Sequence, residues 1–194
     1  LALVAGVLGV KRFEELFLRY DETWYGWIAE PNKHVFLTSW QPSAWGYLLT
    51  DLFLGWLIFH RAEGCLQRFA RMVWLATILG VCSTLVFADG LQLVFATGLQ
   101  LWRAQWLLHW LAMACVPWLL ILEAQAGGRF PPRLGLLLAI VVFGTPSGQG
   151  DYAALAVVCL IPIYVFWEDF FPPTRRVSNR PRSKMRLMSL FPKR

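Results

Sequence analysis

Apolar positions in this chain fall into long unbroken runs, not one-sided helical stripes or strand-like alternation, and short charged or glycine-containing breaks separate them. Five runs predict helices that cross a bilayer. The first covers roughly Ala44–Phe59 and ends at His60-Arg61; the second covers Met72–Ala88 and ends at Asp89-Gly90. The third, Ala104–Leu122, is bounded by Arg103 and Glu123. The fourth, Leu134–Thr145, is short and closes on the turn-like Pro146-Ser147-Gly148-Gln149-Gly150. The fifth, Tyr152–Trp167, is closed by Glu168-Asp169 and Pro172-Pro173. A full crossing takes about 20 residues, so several runs sit at or below that length and imply interfacial extensions or a bundle thinned around a cavity. Leu1–Val10 is apolar but too short to cross; it reads as the cut end of a longer helix, so further transmembrane segments or subunits are expected. Between the second and third runs, Asp89–Arg103 is too short and too polar at its ends to cross and return. It predicts a re-entrant half-helix, with breaks at Gly90 and Gly98. The expected fold class is therefore all-α: a polytopic transmembrane helix bundle of five or six spans over residues 1–173, with a possible re-entrant outer segment and a separate tail over 174–194.

Composition agrees. Of 194 residues, 57% are apolar and 15% charged, against roughly 45–50% and 25% in soluble domains. A chain this small cannot hide that excess in one core. A soluble single-domain enzyme, a disordered protein and a disulfide-stapled module are thereby excluded. The four cysteines show no C-x-x-C spacing and read as small apolar fillers.

The net charge of +6 is unevenly spread. From Thr174 onward the tail holds eight Lys/Arg and no acid, while the rest of the chain carries ten basic against twelve acidic residues. A basic, Ser- and Pro-containing tail after a hydrophobic span reads as a disordered cytoplasmic anchor. It lacks the aromatic or folded context of a nucleic-acid binder. With the tail inside, the Arg129/Arg133 and Arg61/Arg68/Arg71 loops are also inside, whereas Lys11, Arg12 and Lys33 fall outside and run against the rule. The expected location is the cell membrane, multi-pass, C-terminus cytoplasmic.

Ionisable groups at or within the membrane are the natural functional candidates. Asp21-Glu22 lies among aromatic residues on an outer loop, where a carboxylate can serve as a proton acceptor or simply be solvated. Asp51 interrupts the first span and must be paired, neutral or facing water; pairing with another helix and a proton-carrying role both stand. Arg103 opens the third span between Gln100 and Gln105, and either holds a phosphate with their help or snorkels beside Trp102. Trp102, Trp106 and Trp110 recur at i, i+4, i+8 and form one stripe, for packing or for stacking on a ligand. His109 is four residues from Gln105 and is expected to hydrogen-bond to it; no ligand spacing suggests a metal. Asp89 and Asp151 sit beside glycines at outer span ends, as helix caps do. Walker-A, G-x-S-x-G, H-E-x-x-H and Rossmann patterns do not occur, and no internal repeat is evident.

An acidic residue on the first outer loop, several short spans and an Arg with Gln at the outer mouth of a later span together resemble the GT-C class of glycosyltransferases. The resemblance implies a polytopic enzyme using a polyprenyl-phosphate-linked sugar on the outer side of the membrane, with that lipid-linked donor as its partner in the bilayer. It places Asp21 or Glu22 as the catalytic acidic residue and Arg103 with Gln100 against the lipid-linked phosphate; Gln105, Asp89 and Trp40 are the further candidate substrate-binding residues. This chain has Asp-Glu where that class often has Asp-Asp or Glu-Asp, and fewer spans than a complete member. Two other readings stay open: a transporter or permease subunit with Asp51 as its buried coupling group, and a non-enzymatic scaffold that docks through its basic tail.

Overall fold

The computed structural model describes residues 17–125, 132–144 and 151–167. Every regular element among them is helical. In chain order these are α1 (Glu22–Ala29), a 3-10 turn at Leu37–Ser39, α2 (Pro42–Arg61), α3 (Gly64–Ser83) with a π-helical continuation over Thr84–Gly90, α4 (Val94–Leu99), a 3-10 turn at Leu101–Arg103, α5 (Ala104–Gln125), α6 (Pro132–Gly144) and α7 (Asp151–Val165). The expected N-terminal stump, the Pro146–Gly150 turn, the Arg129 loop position and the basic tail lie outside the described residues.

Helix α2 is the axis of the bundle and packs against α3, α5, α6 and α7. It starts with Pro42 at its first position, where a missing N–H costs nothing. Its buried Phe53, Leu54, Leu57 and Ile58 meet Ala112 and Leu119 of α5, Leu137 and Ile140 of α6 and Tyr164 of α7. Gly64, at φ +65°, turns the chain sharply from α2 into α3, a left-handed conformation open to glycine at little cost. The second helix therefore begins eight residues before Met72: the Arg68/Arg71 stretch expected to be a loop is its exposed first two turns.

Two stretches, Gly64–Gly90 (27 residues) and Val94–Gln125 (32 residues), are long and apolar enough to cross a membrane. Only 28% and 22% of their most apolar windows are buried within the protein, so their apolar side chains face outward and do not fill a core. The shorter apolar helices are Pro132–Gly144 and Tyr152–Val165. Pro117 and Pro162 sit inside α5 and α7, positions tolerated where neighbouring helices take up the freed backbone groups.

The Asp89–Arg103 segment is broken into short pieces. It holds the six-residue α4 and the Leu101–Arg103 turn, and α4 closes at Gln100 (φ 47°) instead of at Gly98, where the break was expected. Gln100 takes the left-handed closing position usually given to glycine, and its N–H reaches Ala96 O at 3.4 Å. The chain before α1 is pinned to this segment: Val94 N donates to Leu18 O at 3.0 Å, Tyr20 N donates to Gln92 O at 3.1 Å, and the Tyr20 and Thr97 hydroxyls lie 2.6 Å apart. At Gly80 a Cβ would strike the Leu101 carbonyl, so a glycine there lets the Leu101–Arg103 turn lie directly on α3.

Candidate functional site

Asp51 is the tenth residue of α2 and is 2% exposed. A bare carboxylate at that depth is expensive, and α5 supplies its partners. His109 Nδ1 donates to Asp51 Oδ1 at 2.9 Å, and Gln105 Nε2 donates to Asp51 Oδ2 at a longer 3.4 Å. Residues 105 and 109 are one turn apart, so both point from the same face of α5. The expected Gln105–His109 bond is thus replaced by two bonds to one carboxylate: a buried acceptor outcompetes a neighbouring amide. Because a carboxylate only accepts, Nδ1 carries the proton and the other ring nitrogen, Nε2, is left available. The His109 side chain is 36% exposed, so a buried anchor holds an accessible imidazole.

The imidazole opens onto a cavity of about 400 Å³ bordered by Tyr47, Trp106 and Trp110. A second cavity of about 380 Å³ shares Tyr47 and Gln105 with it and extends to Lys33, His34 and Trp40. The two adjoin at Tyr47 and Gln105, so that Lys33 borders one and the Asp51–His109 pair the other; the adjoining pair is termed the cleft. Trp102 lines its upper part, is 7% exposed, and has an indole N–H without a partner among the described residues. Such a donor is costly to bury unused and is available to a ligand oxygen. Trp40 and Trp45 pack against it in a small core with Leu37, Leu48 and Val81. The chain matches no protein-family model, and no curated protein or solved structure is significantly similar to it. Its chemistry has to be read from this geometry.

Of the residues expected at a site, the structure brings Gln105 and Trp40 to the cleft, and holds Arg103 against its tryptophans. The Arg103 guanidinium carbon lies 5.9 Å from the Trp102 ring and 5.5 Å from the Trp106 ring. Gln100 adjoins in sequence, and its Oε1 is buried without a partner among the described residues. Trp102 belongs to the 3-10 turn, not to α5, so the expected three-residue stripe is broken: Trp102 turns inward while Trp106 and Trp110 stay 56% and 72% exposed.

Asp89, Asp21 and Glu22 are placed differently. Asp89 ends the π segment, and its carboxylate accepts from Leu37 N, Thr38 N and Thr38 Oγ1 at 3.2, 3.0 and 2.6 Å. It caps the Leu37–Ser39 turn across space; the helix beside it is not the one it serves. Asp21 caps α1, accepting from Trp24 N at 2.7 Å, and both Asp21 and Glu22 are exposed. Neither lines any of the four cavities described. Asp151 is the first residue of α7 and not the residue before it, where an N-cap would stand, and its side chain lies outside the described residues. Among the described residues, no three His, Cys, Asp or Glu side chains gather at metal-ligand spacing.

A second buried carboxylate lies at the opposite end of the bundle. Glu123, near the end of α5, is 4% exposed and accepts from Arg61 Nη2 at 3.0 Å and from the Tyr164 hydroxyl at 2.5 Å. The Arg133 guanidinium carbon stands 4.8 Å over the Tyr164 ring. This cluster ties α2, α5, α6 and α7 together. In the sequence Arg61 marks a span end and an inner basic loop and Glu123 marks a span end; that both fall on the same side of the proposed membrane was the available hint that they meet.

Proposed function

We propose that this chain is a multi-pass membrane protein of five spans built on α2, α3, α5, α6 and α7, with its tail cytoplasmic and the Lys33–Asp51 cleft opening to the outer side. The cleft takes a lipid-linked, phosphate-bearing substrate and catalyses glycosyl transfer from it, in the manner of GT-C enzymes. The observation that carries this reading is the accessible His109 imidazole held by buried Asp51 in a tryptophan-lined cleft that Lys33 also lines, with Arg103 set against the Trp102 and Trp106 rings. Aromatic walls suit an isoprenoid or a sugar face, and a guanidinium fork suits phosphate oxygens.

The chemistry follows from those positions. An acceptor hydroxyl gives its proton to His109 Nε2, while Asp51 steadies the imidazolium that forms. The hydroxyl oxygen bonds to the anomeric carbon as the bond from that carbon to the phosphate oxygen breaks. The polyprenyl phosphate leaves with both bonding electrons, and Arg103, Lys33 and the Trp102 N–H offset its charge. The base in this reading is the Asp51–His109 pair rather than Asp21 or Glu22, because the pair borders a cleft and the loop acids do not. Asp89 supports the rim by holding the Leu37–Ser39 turn.

The test uses the full chain in proteoliposomes with a polyprenyl phosphate carrying a photoreactive terminal group. Crosslinks should map to residues 102–110, and polyprenyl-phosphate hexoses should release polyprenyl phosphate when an acceptor alcohol is present. Absence of both contradicts the reading. A second reading, proton-coupled transport, is favoured by the placement of a carboxylate–imidazole pair midway along a 20-residue helix. Substrate flux that follows an imposed pH gradient, without release of polyprenyl phosphate, would select it.

A further inference from the structure

The end of the α2–α3 hairpin opposite the cleft carries a cavity of its own, of about 500 Å³. Its polar lining is cationic and hydrogen-bonding: His60 from α2, and Gln67, Arg68 and Arg71 from α3. Its wall is fixed. Trp74 Nε1 donates to Leu52 O at 2.8 Å, and the Trp74 ring meets Phe59 edge-on at 5.4 Å. His60 Nδ1 lies 3.0 Å from Trp56 O, and because a carbonyl only accepts, Nδ1 donates and Nε2 stays free to face a ligand. Arg68 and Arg71 are three residues apart and share a helix face. Neither is in an ion pair among the described residues, and Glu63, just before α3, pairs with neither. Their charge is therefore not neutralised locally.

Beyond the two guanidiniums the same side of α3 turns apolar and open. Met72, Leu75 and Leu79 follow at helical spacing and are 71%, 44% and 66% exposed. A charged pocket above an exposed apolar track matches a molecule with an anionic head and acyl chains. It does not match a small soluble anion, which would gain nothing from the track. Helix α2, with the cleft along its first half and this cavity at its far end, is 20 residues long; at 1.5 Å each that is about 30 Å, the thickness of a bilayer's hydrocarbon core.

We propose that this cavity binds the phosphate head of one anionic phospholipid on the cytoplasmic leaflet, with its acyl chains along Leu75 and Leu79. The inference rests on the membrane reading above but not on glycosyl transfer. The two arginines hold the phosphodiester, His60 and Gln67 bond its remaining oxygens or a polar headgroup, and the Trp74 ring supports the glycerol. A zwitterionic lipid carries no net charge to satisfy the arginines, so selection is by charge.

The full chain is placed in nanodiscs mixing phosphatidylglycerol with phosphatidylcholine, then released into detergent and examined by native mass spectrometry. Wild-type protein should retain phosphatidylglycerol adducts in preference to phosphatidylcholine. The Arg68→Gln/Arg71→Gln variant should weaken that retention by roughly thirtyfold, the equivalent of about 1 kcal/mol for each of two basic charges near the membrane surface. The Arg68→Lys/Arg71→Lys variant should keep most of the preference. Excess inorganic phosphate should leave the adducts in place; full displacement by it would mean a free-anion site and overturn the lipid proposal. Equal retention of both lipids by wild type, or unchanged retention by the Gln variant, would also overturn it. Alkaline carbonate washing separates the two levels of failure. A chain stripped from vesicles by the wash overturns the membrane reading and the lipid site together, whereas one that stays but shows no selectivity overturns the lipid site alone.

Discussion

Two buried carboxylates, Asp51 and Glu123, sit toward opposite ends of this bundle, and their partners differ. Glu123 is held by an arginine, whose charge is permanent, and by a tyrosine hydroxyl. Asp51 is held by a histidine and an amide, and the histidine can gain or lose a proton. Glu123 borders none of the four cavities described, whereas Asp51 borders the cleft. Two carboxylates of similar burial thus have one partner of fixed charge in one place and one that titrates in the other; the proposed function makes the first a fastener and the second a reactive pair. Burial of an acid does not by itself mark a functional site; the titratability and accessibility of its partner do.

Substitutions can break that contrast. The largest effect is expected from His109→Gln, which removes the proton acceptor and should lower the transfer rate by about 100- to 10,000-fold, with little change in thermal unfolding in detergent. An active His109→Gln protein would equate the two clusters. Glu123→Ala leaves Arg61 and the Tyr164 hydroxyl without their shared acceptor, and removing one member of a buried ion pair costs about 3–5 kcal/mol. The unfolding temperature should fall sharply, while folded molecules still turn over. Arg103→Ala should reduce kcat/KM by roughly ten- to hundredfold, the worth of a hydrogen bond to a charged group, and leave unfolding unchanged because Arg103 is exposed. Tyr164→Phe is the mildest. It deletes one of two donors to Glu123 and should cost about 1 kcal/mol in a denaturation measurement, with no effect on transfer.

Much of the helical frame was legible from the chain. Unbroken apolar runs marked α2, α3, α5, α6 and α7, because outward-facing and inward-facing positions are both apolar in such helices. The ends were less legible. Charged Arg68 and Arg71 looked like loop, yet a helix tolerates exposed arginines in its first turns, and Gly64 set the true start. Gly98 looked like a break, but the break fell at Gln100, which carries no glycine signal. For the site, Asp51 stood out by its cost, but its partner did not. Choosing His109 requires the register between α2 and α5, which depends on packing across fifty-eight residues of sequence. Asp89 was legible as a cap but not as a cap for a turn fifty-one residues upstream. Asp21 and Glu22 drew notice as adjacent acids, a pattern that helix starts produce as readily as active sites do.

The most direct measurement compares Asp51→Asn with Glu123→Gln in one preparation, recording transfer per folded molecule and the unfolding temperature of each. The account predicts that Asp51→Asn abolishes transfer at a near wild-type unfolding temperature, while Glu123→Gln lowers the unfolding temperature and preserves transfer. Full activity in Asp51→Asn, or loss of activity confined to Glu123→Gln, would contradict it.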